Sequence, residues 1–121
     1  MAEIDSKKLA LAACRALSEK RGRDIVMLYV REKTSLCDYF VIASASNAPQ
    51  IRAMGERVEE LIEKEFSLAP TRTEGVRDGR WGVIDYGDVI VHIFNDDTRL
   101  FYHLERLWAD GENMEKYVDE K

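Results

Sequence analysis

Two short runs, DIVMLYV at 24–30 and DYFVIAS at 38–44, are apolar at successive positions rather than alternate ones. A strand with one wet face alternates, whereas a strand covered on both faces has no need to. The pair therefore predicts a sheet held between two layers, which leaves few architectures open. A third β-rich signal, WGVIDYGDVIVHIF at 81–94, sets Tyr86-Gly87 between two strand-like halves. Gly87 tolerates positive φ, so a tight hairpin is expected. With Tyr86 and Gly87 as a two-residue loop, Asp85 faces Asp88, Val83 faces Ile90 and Trp81 faces His92. A three-residue loop would shift this register by one.

Helical periodicity fills the intervals. Asp5 is an N-cap, with Ile4 and Leu9 placed as a hydrophobic staple. Leu9, Ala10, Ala13, Cys14 and Leu17 form one apolar face, and Gly22 is the expected stop. A second helix starts near Asn47, tolerates Pro49 in its first turn, and repeats Ile51, Met54, Val58, Leu61, Ile62 and Phe66 at helical spacing. Gly55 within it reads as a close-packing point. A brief strand is expected at 71–74, between Pro70 and Gly75. Asp96, Asp97 or Thr98 can cap a last helix that runs to about Trp108. On that helix Leu100, Phe101, Leu104, Leu107 and Trp108 should face the core, with Arg99, His103, Arg106 and Asp110 on the solvent side. Tyr102 and Glu105 share a flank. The order α-β-β-α-(β)-β-β-α predicts an α+β domain, a mixed β-sheet flanked by helices, over 1–109, and the acidic 110–121 reads as a disordered tail.

Composition narrows the function. A chain of 121 residues, 45% hydrophobic and 34% charged, fits one soluble domain. No apolar run approaches the ~20 residues of a bilayer span. The N-terminus also lacks the apolar segment of a signal peptide, so a cytosolic chain is expected and no membrane partner. Cys14 and Cys37 are too few and too far apart for a zinc site or a disulfide framework, and both read as structural thiols. The net charge of −5 disfavours non-specific nucleic-acid binding and favours a basic protein surface.

The segment HIFNDDTRLFYHLERLW, 92–108, gathers catalytic side-chain types. Wrapped on a helix, however, those side chains divide among separate surfaces. There is no Gly-x-Ser-x-Gly elbow, no phosphate-binding Gly-x-x-x-x-Gly-Lys loop and no His-Glu-x-x-His helix. Asp85 and Asp88 straddle a turn, where paired carboxylates can hold magnesium but more often form the turn. Trp81, beside Arg80 and Gly82 and on one face with Asp85 and His92, resembles the centre of an interface.

These residues also carry a family resemblance. DYFVIASASN-PQ (38–50, gap at Ala48), WGVIDYGDVIVHIF and TRLFYHLERLW (98–108) closely resemble the ribosomal silencing factor, or Iojap-like, family. The match runs in order from the first helix to Trp108, nearly the whole domain. The resemblance implies binding to the large ribosomal subunit through the universal ribosomal protein numbered fourteen. It also implies a block on subunit joining that slows protein synthesis when nutrients are scarce. The implied fold has a nucleotidyltransferase-like topology, yet the members look like non-enzymes. Here ASASNAP lacks the Gly-Ser pair of an active nucleotidyltransferase. No Asp-x-Asp or Asp-x-Glu follows on a strand, because Asp119 and Glu120 lie in the tail. The resemblance thus implies no cofactor, no metal and no catalytic residue. Its pattern nominates Trp81, Asp85, Asp88 and His92 on the hairpin, with Arg99, Tyr102 and Glu105 on the last helix, as partner-binding. Ser44, Ser46 and Gln50 match family positions that shape the strand-to-helix turn.

The expected mechanism is steric. Trp81 anchors the contact, Asp85, Asp88 and Glu105 meet Lys or Arg, and Tyr102 and His92 add directional hydrogen bonds. Two rivals have definite residues: a magnesium-dependent nucleotidyltransferase using Asp85 and Asp88, and an RNA binder using Arg72, Arg77, Arg80 and Arg99. No dedicated nucleic-acid site is expected, and a homodimer through exposed apolar helix surface is left open.

Overall fold

The computed structural model describes residues 5–118. Its elements are α1 (Ser6–Glu19), β1 (Arg23–Tyr29), β2 (Tyr39–Ala45), α2 (Ala48–Phe66), β3 (Arg72–Glu74), β4 (Trp81–Asp85), β5 (Val89–Asn95), α3 (Asp96–Tyr102), α4 (Leu104–Trp108) and β6 (Met114–Lys116). The strands form one sheet in the order β3-β4-β5-β2-β1-β6. β2 and β5 run parallel, while the other pairs run antiparallel. The fold is therefore α+β with a mixed sheet, as the element order predicted.

The successive apolar positions of β1 and β2 are indeed buried on both sides. One layer is closed by α1 and α2, and gathers Leu17, Met27, Val41, Ile51, Met54, Ile62, Val91 and Ile93. The other gathers Val26, Leu28, Phe40, Ile42 and Phe94, with Trp81, Ile90, Leu104 and Trp108 packed against it. Alternate residues of one strand thus serve two cores, the geometric consequence of a pleat with a period of two.

Local signals set most helix ends. Asp5 accepts from the backbone N–H of Lys7 and Lys8, and Asn47 from that of Gln50, with Pro49 in the first turn. Ile4, half of the expected staple, lies outside the described residues. Gly22 is not the stop that periodicity suggested. The helix ends at Glu19, and Arg21 takes the left-handed conformation, with φ 64. Gly55 is a close-packing point, since a Cβ there would stand 3.2 Å from a methyl of Val76.

The tail differs more. Residues 110–113 form a turn in which Asp110 Oδ1 accepts from the N–H of Glu112 and Asn113. Asn113 Nδ2 donates to the carbonyls of Tyr29 and Trp108. That turn delivers Met114–Lys116 onto the free edge of β1 as β6. The expectation of a disordered segment from 110 is corrected to that extent. A three-residue edge strand has too little pattern to show itself in sequence.

Candidate functional site

The hairpin closes one residue later along the chain than expected. Tyr86 N–H donates to Val89 O at 2.9 Å, so the loop is Gly87-Asp88, with Gly87 at φ 87. Asp85 Oδ1 accepts from Gly87 N–H at 2.8 Å, which makes Asp85 a turn former. The register is Trp81↔Phe94, Val83↔His92 and Asp85↔Ile90. It corrects Asp85↔Asp88, Val83↔Ile90 and Trp81↔His92. The loop kept its length and moved by one residue, so the facing partner moved by two. A shift of two preserves the face of every side chain. Trp81, Val83, Asp85, Ile90, His92 and Phe94 still share the second face, with Trp81 and His92 now diagonal neighbours.

That diagonal is used. Trp81 Nε1–H donates to His92 Nδ1 at 3.1 Å. The Trp81 ring stacks on Phe94 at 4.9 Å between centroids and tilts against Tyr102, also at 4.9 Å. His92 meets Phe40 edge-on at 5.1 Å, and Phe40 meets Trp108 at 5.3 Å. A row of rings therefore crosses the second face from α4 to α3. His92 is buried, and desolvation lowers its pKa to about 4, against a smaller opposing pull from Asp85. It is neutral at physiological pH, with Nδ1 accepting from the indole. His92 Nε2 and Glu105 Oε1 are buried without a hydrogen-bond partner among the described residues.

The last helix is two helices. Asn95 is the N-cap, accepting from Thr98 N–H, in place of Asp96, Asp97 or Thr98, and Asp96 and Asp97 occupy the first turn. His103 adopts φ 45 and ψ 55, ends α3 and begins α4. The break removes the single apolar sector. Leu104 and Trp108 pack into the second layer, but Leu100, Phe101 and Leu107 are 75%, 81% and 73% exposed. Those three were expected in the core. Tyr102 is half exposed, and the break separates it from Glu105, so they share no common flank.

Arg99 moves in the opposite sense, from the expected solvent side to the inside. Its Nη1 donates to Asp24 O and Ser44 Oγ, each at 2.8 Å. Its Nε and Nη2 reach Glu105 Oε2 at 3.1 and 3.0 Å. One guanidinium thus ties β1, β2 and α3 to α4. The Asp24 carbonyl is available because β1 bulges there and Asp24 takes φ 49. Gln50 shapes the neighbouring turn: its Oε1 accepts from Ser46 N–H, and its Nε2 donates to the carbonyls of Lys20 and Arg21.

Of the seven nominated residues, Asp88 and Tyr102 are exposed and Trp81 and Asp85 half-buried. His92, Arg99 and Glu105 work inside the protein. The exposed apolar group Leu100, Phe101 and Leu107 was missed. The sequence carried one faint signal for it, because His is among the few residue types enriched in left-handed backbone. Both cysteines are buried, and burial pushes their thiols up to about 12, which denies them a nucleophilic role at neutral pH. Among the described residues, no group of three His, Cys, Asp or Glu is placed to hold a metal ion, and no helix is long and apolar enough to cross a membrane.

Against known proteins, the sequence model of the family described as ribosomal silencing factor during starvation matches residues 3–121. A Bacillus subtilis protein named ribosomal silencing factor RsfS is 35% identical over 104 residues, covering 86% of this chain and 85% of the relative. A mouse protein named mitochondrial assembly of ribosomal large subunit protein 1 is 30% identical over 95 residues, covering 77% of this chain and 42% of the relative. A crystal structure from Chromobacterium violaceum superposes with a TM-score of 0.84 at 28% identity, covering 96% of this chain and 95% of that one.

Proposed function

We propose a mechanism from one premise: the chain belongs to the ribosomal silencing factor family, and its role is ribosome-associated regulation of translation. In this mechanism it binds the large ribosomal subunit through the universal ribosomal protein numbered fourteen and occupies the volume the small subunit needs. No bond is made or broken, so no cofactor or metal is required. A cytoplasmic site of action goes with this reading.

The observation that carries it is the face formed by α3, α4 and the β4–β5 hairpin. Leu100, Phe101 and Leu107 stand in solvent on the two short helices, Phe101 in ring contact with exposed Tyr102, and Asp85 and Asp88 lie at the hairpin turn. Several large apolar residues left in solvent on one short stretch of chain mark a contact surface. The acidic turn and the net charge of −5 suit a basic partner and would speed encounter. Asp88 and Tyr102 make contact directly, and half-buried Trp81 through the part of it that lines a groove beside α3. His92, Arg99 and Glu105 position the surface from beneath. The name of the mouse relative, which refers to the ribosomal large subunit, supports the choice of subunit.

The test is light scattering from purified ribosomal subunits as they associate. Saturating protein should suppress the rise in scattering. Undiminished association, with the protein bound or unbound, would refute steric blocking.

A further inference from the structure

Beside Trp81 lies a groove of about 560 Å³, between the segment preceding β4 and α3. It is lined by the aromatic residues Trp81, Phe101 and Tyr102 together with Asp78, Asp97 and Arg80. Tyr102 lies 4.9 Å from Trp81 at 44° and 5.1 Å from Phe101 at 77°. Tyr102 thus stands between the other two rings that line the groove. The Trp81 indole N–H is committed to His92, and its ring is engaged by Phe94 and Tyr102. The groove therefore offers chiefly the exposed ring of Phe101, the half-exposed ring of Tyr102 and carboxylates. Asp78 and Asp97 have no ion-pair partner among the described residues, and against Arg80 they leave one negative charge in excess.

Each class of occupant meets this wall differently. An apolar side chain would strip water from two carboxylates and give nothing back. An anion would face them directly. A cation is attracted by both the carboxylates and the ring faces. Guanidinium is planar and weakly hydrated, and it stacks on aromatic rings better than ammonium does. We propose that this groove receives one arginine side chain of the protein on which the α3–α4 face docks, an inference that rests on the docking reading above.

The full-length, ¹⁵N-labelled chain is titrated with acetyl-Gly-Arg-Gly-amide while its two indole N–H signals are followed. The same titration with the citrulline peptide removes the charge and keeps the shape. The arginine peptide should move the Trp81 signal in a saturable way, with the citrulline peptide about fivefold weaker or worse and the Trp108 signal unmoved. Phe101→Leu and Asp97→Asn should each weaken the response roughly three- to tenfold, and Arg80→Gln should strengthen it. Absence of a shift, or equal shifts with both peptides, overturns the inference.

Co-sedimentation with large subunits forms the second arm. Phe101→Leu should lose affinity by a similar factor, and equal sedimentation of that variant overturns the assignment to the partner's arginine. If the wild-type chain fails to sediment at all, the docking reading fails, while the peptide titration still decides what the groove binds.

Discussion

On the α1–α2 side of the sheet, Leu17, Ile51, Met54 and Ile62 are at 0% exposure, whereas on the α3–α4 side Leu100, Phe101 and Leu107 exceed 70%. The first side is closed by helices of 14 and 19 residues, and the second by helices of seven and five. Long amphipathic helices bury a whole stripe, while a helix of two turns cannot. The second side is held instead by rings and one multiply bonded guanidinium, and it leaves these apolar groups in solvent. Most of the buried apolar groups lie in the first layer, and the contact surface proposed above lies on the cover of the second.

The largest expected effect breaks the first layer alone. Ile62→Ala should cost about 3 kcal/mol in urea unfolding, while the folded fraction binds large subunits as before. Loss of binding in a protein still folded would mean the two faces are coupled.

Acid probes the second layer. The folded His92 pKa of about 4 lies below the ordinary 6.5, so the unfolded chain takes the proton first. Its contribution is fully present above about pH 6.5 and is lost as pH falls towards 4, on the order of 2–3 kcal/mol. His92→Leu should flatten the stability curve in that window, and an unchanged slope would place the acid sensitivity elsewhere.

A smaller effect is expected at the tie between the short helices. Arg99→Leu leaves the Glu105 carboxylate without its cation and should cost roughly 2 kcal/mol. The double variant with Glu105→Leu should recover more than half. If it recovers nothing, the bonds to Asp24 and Ser44 hold α3 rather than the ion pair.

The smallest stability change is expected at a side chain that stands in solvent. Leu107→Ser should alter unfolding by less than about 0.5 kcal/mol yet weaken large-subunit co-sedimentation several-fold. Wild-type affinity in that variant would exclude Leu107 from the contact.

The first layer was legible in the residues because its signals are local and redundant. Asp5 and Asn47 cap their helices, the apolar stripes repeat over three to five turns, and two strands lack alternation. The hairpin was legible in its faces but not in its register, because Gly87 fits either the first or the second loop position. The family motifs drew attention to Trp81, His92, Arg99, Tyr102 and Glu105 together. Which of these point outward was not written in their spacing. One left-handed residue, His103, reversed the assignments of Arg99, Leu100, Phe101 and Leu107.

The chain by itself fixed what short-range chemistry can fix: the element types, most of their ends, the two-sided burial of β1 and β2, and the family motifs. Tertiary structure decided whether the last helix is whole or broken, where Arg99 spends its donors, and that Met114–Lys116 completes the sheet. Those outcomes depend on partners 55 to 84 positions away, such as Ser44 for Arg99 and Tyr29 for Asn113. A hydrophobic period constrains only neighbours within a few turns, so pairings at that distance exist only once the chain has closed on itself.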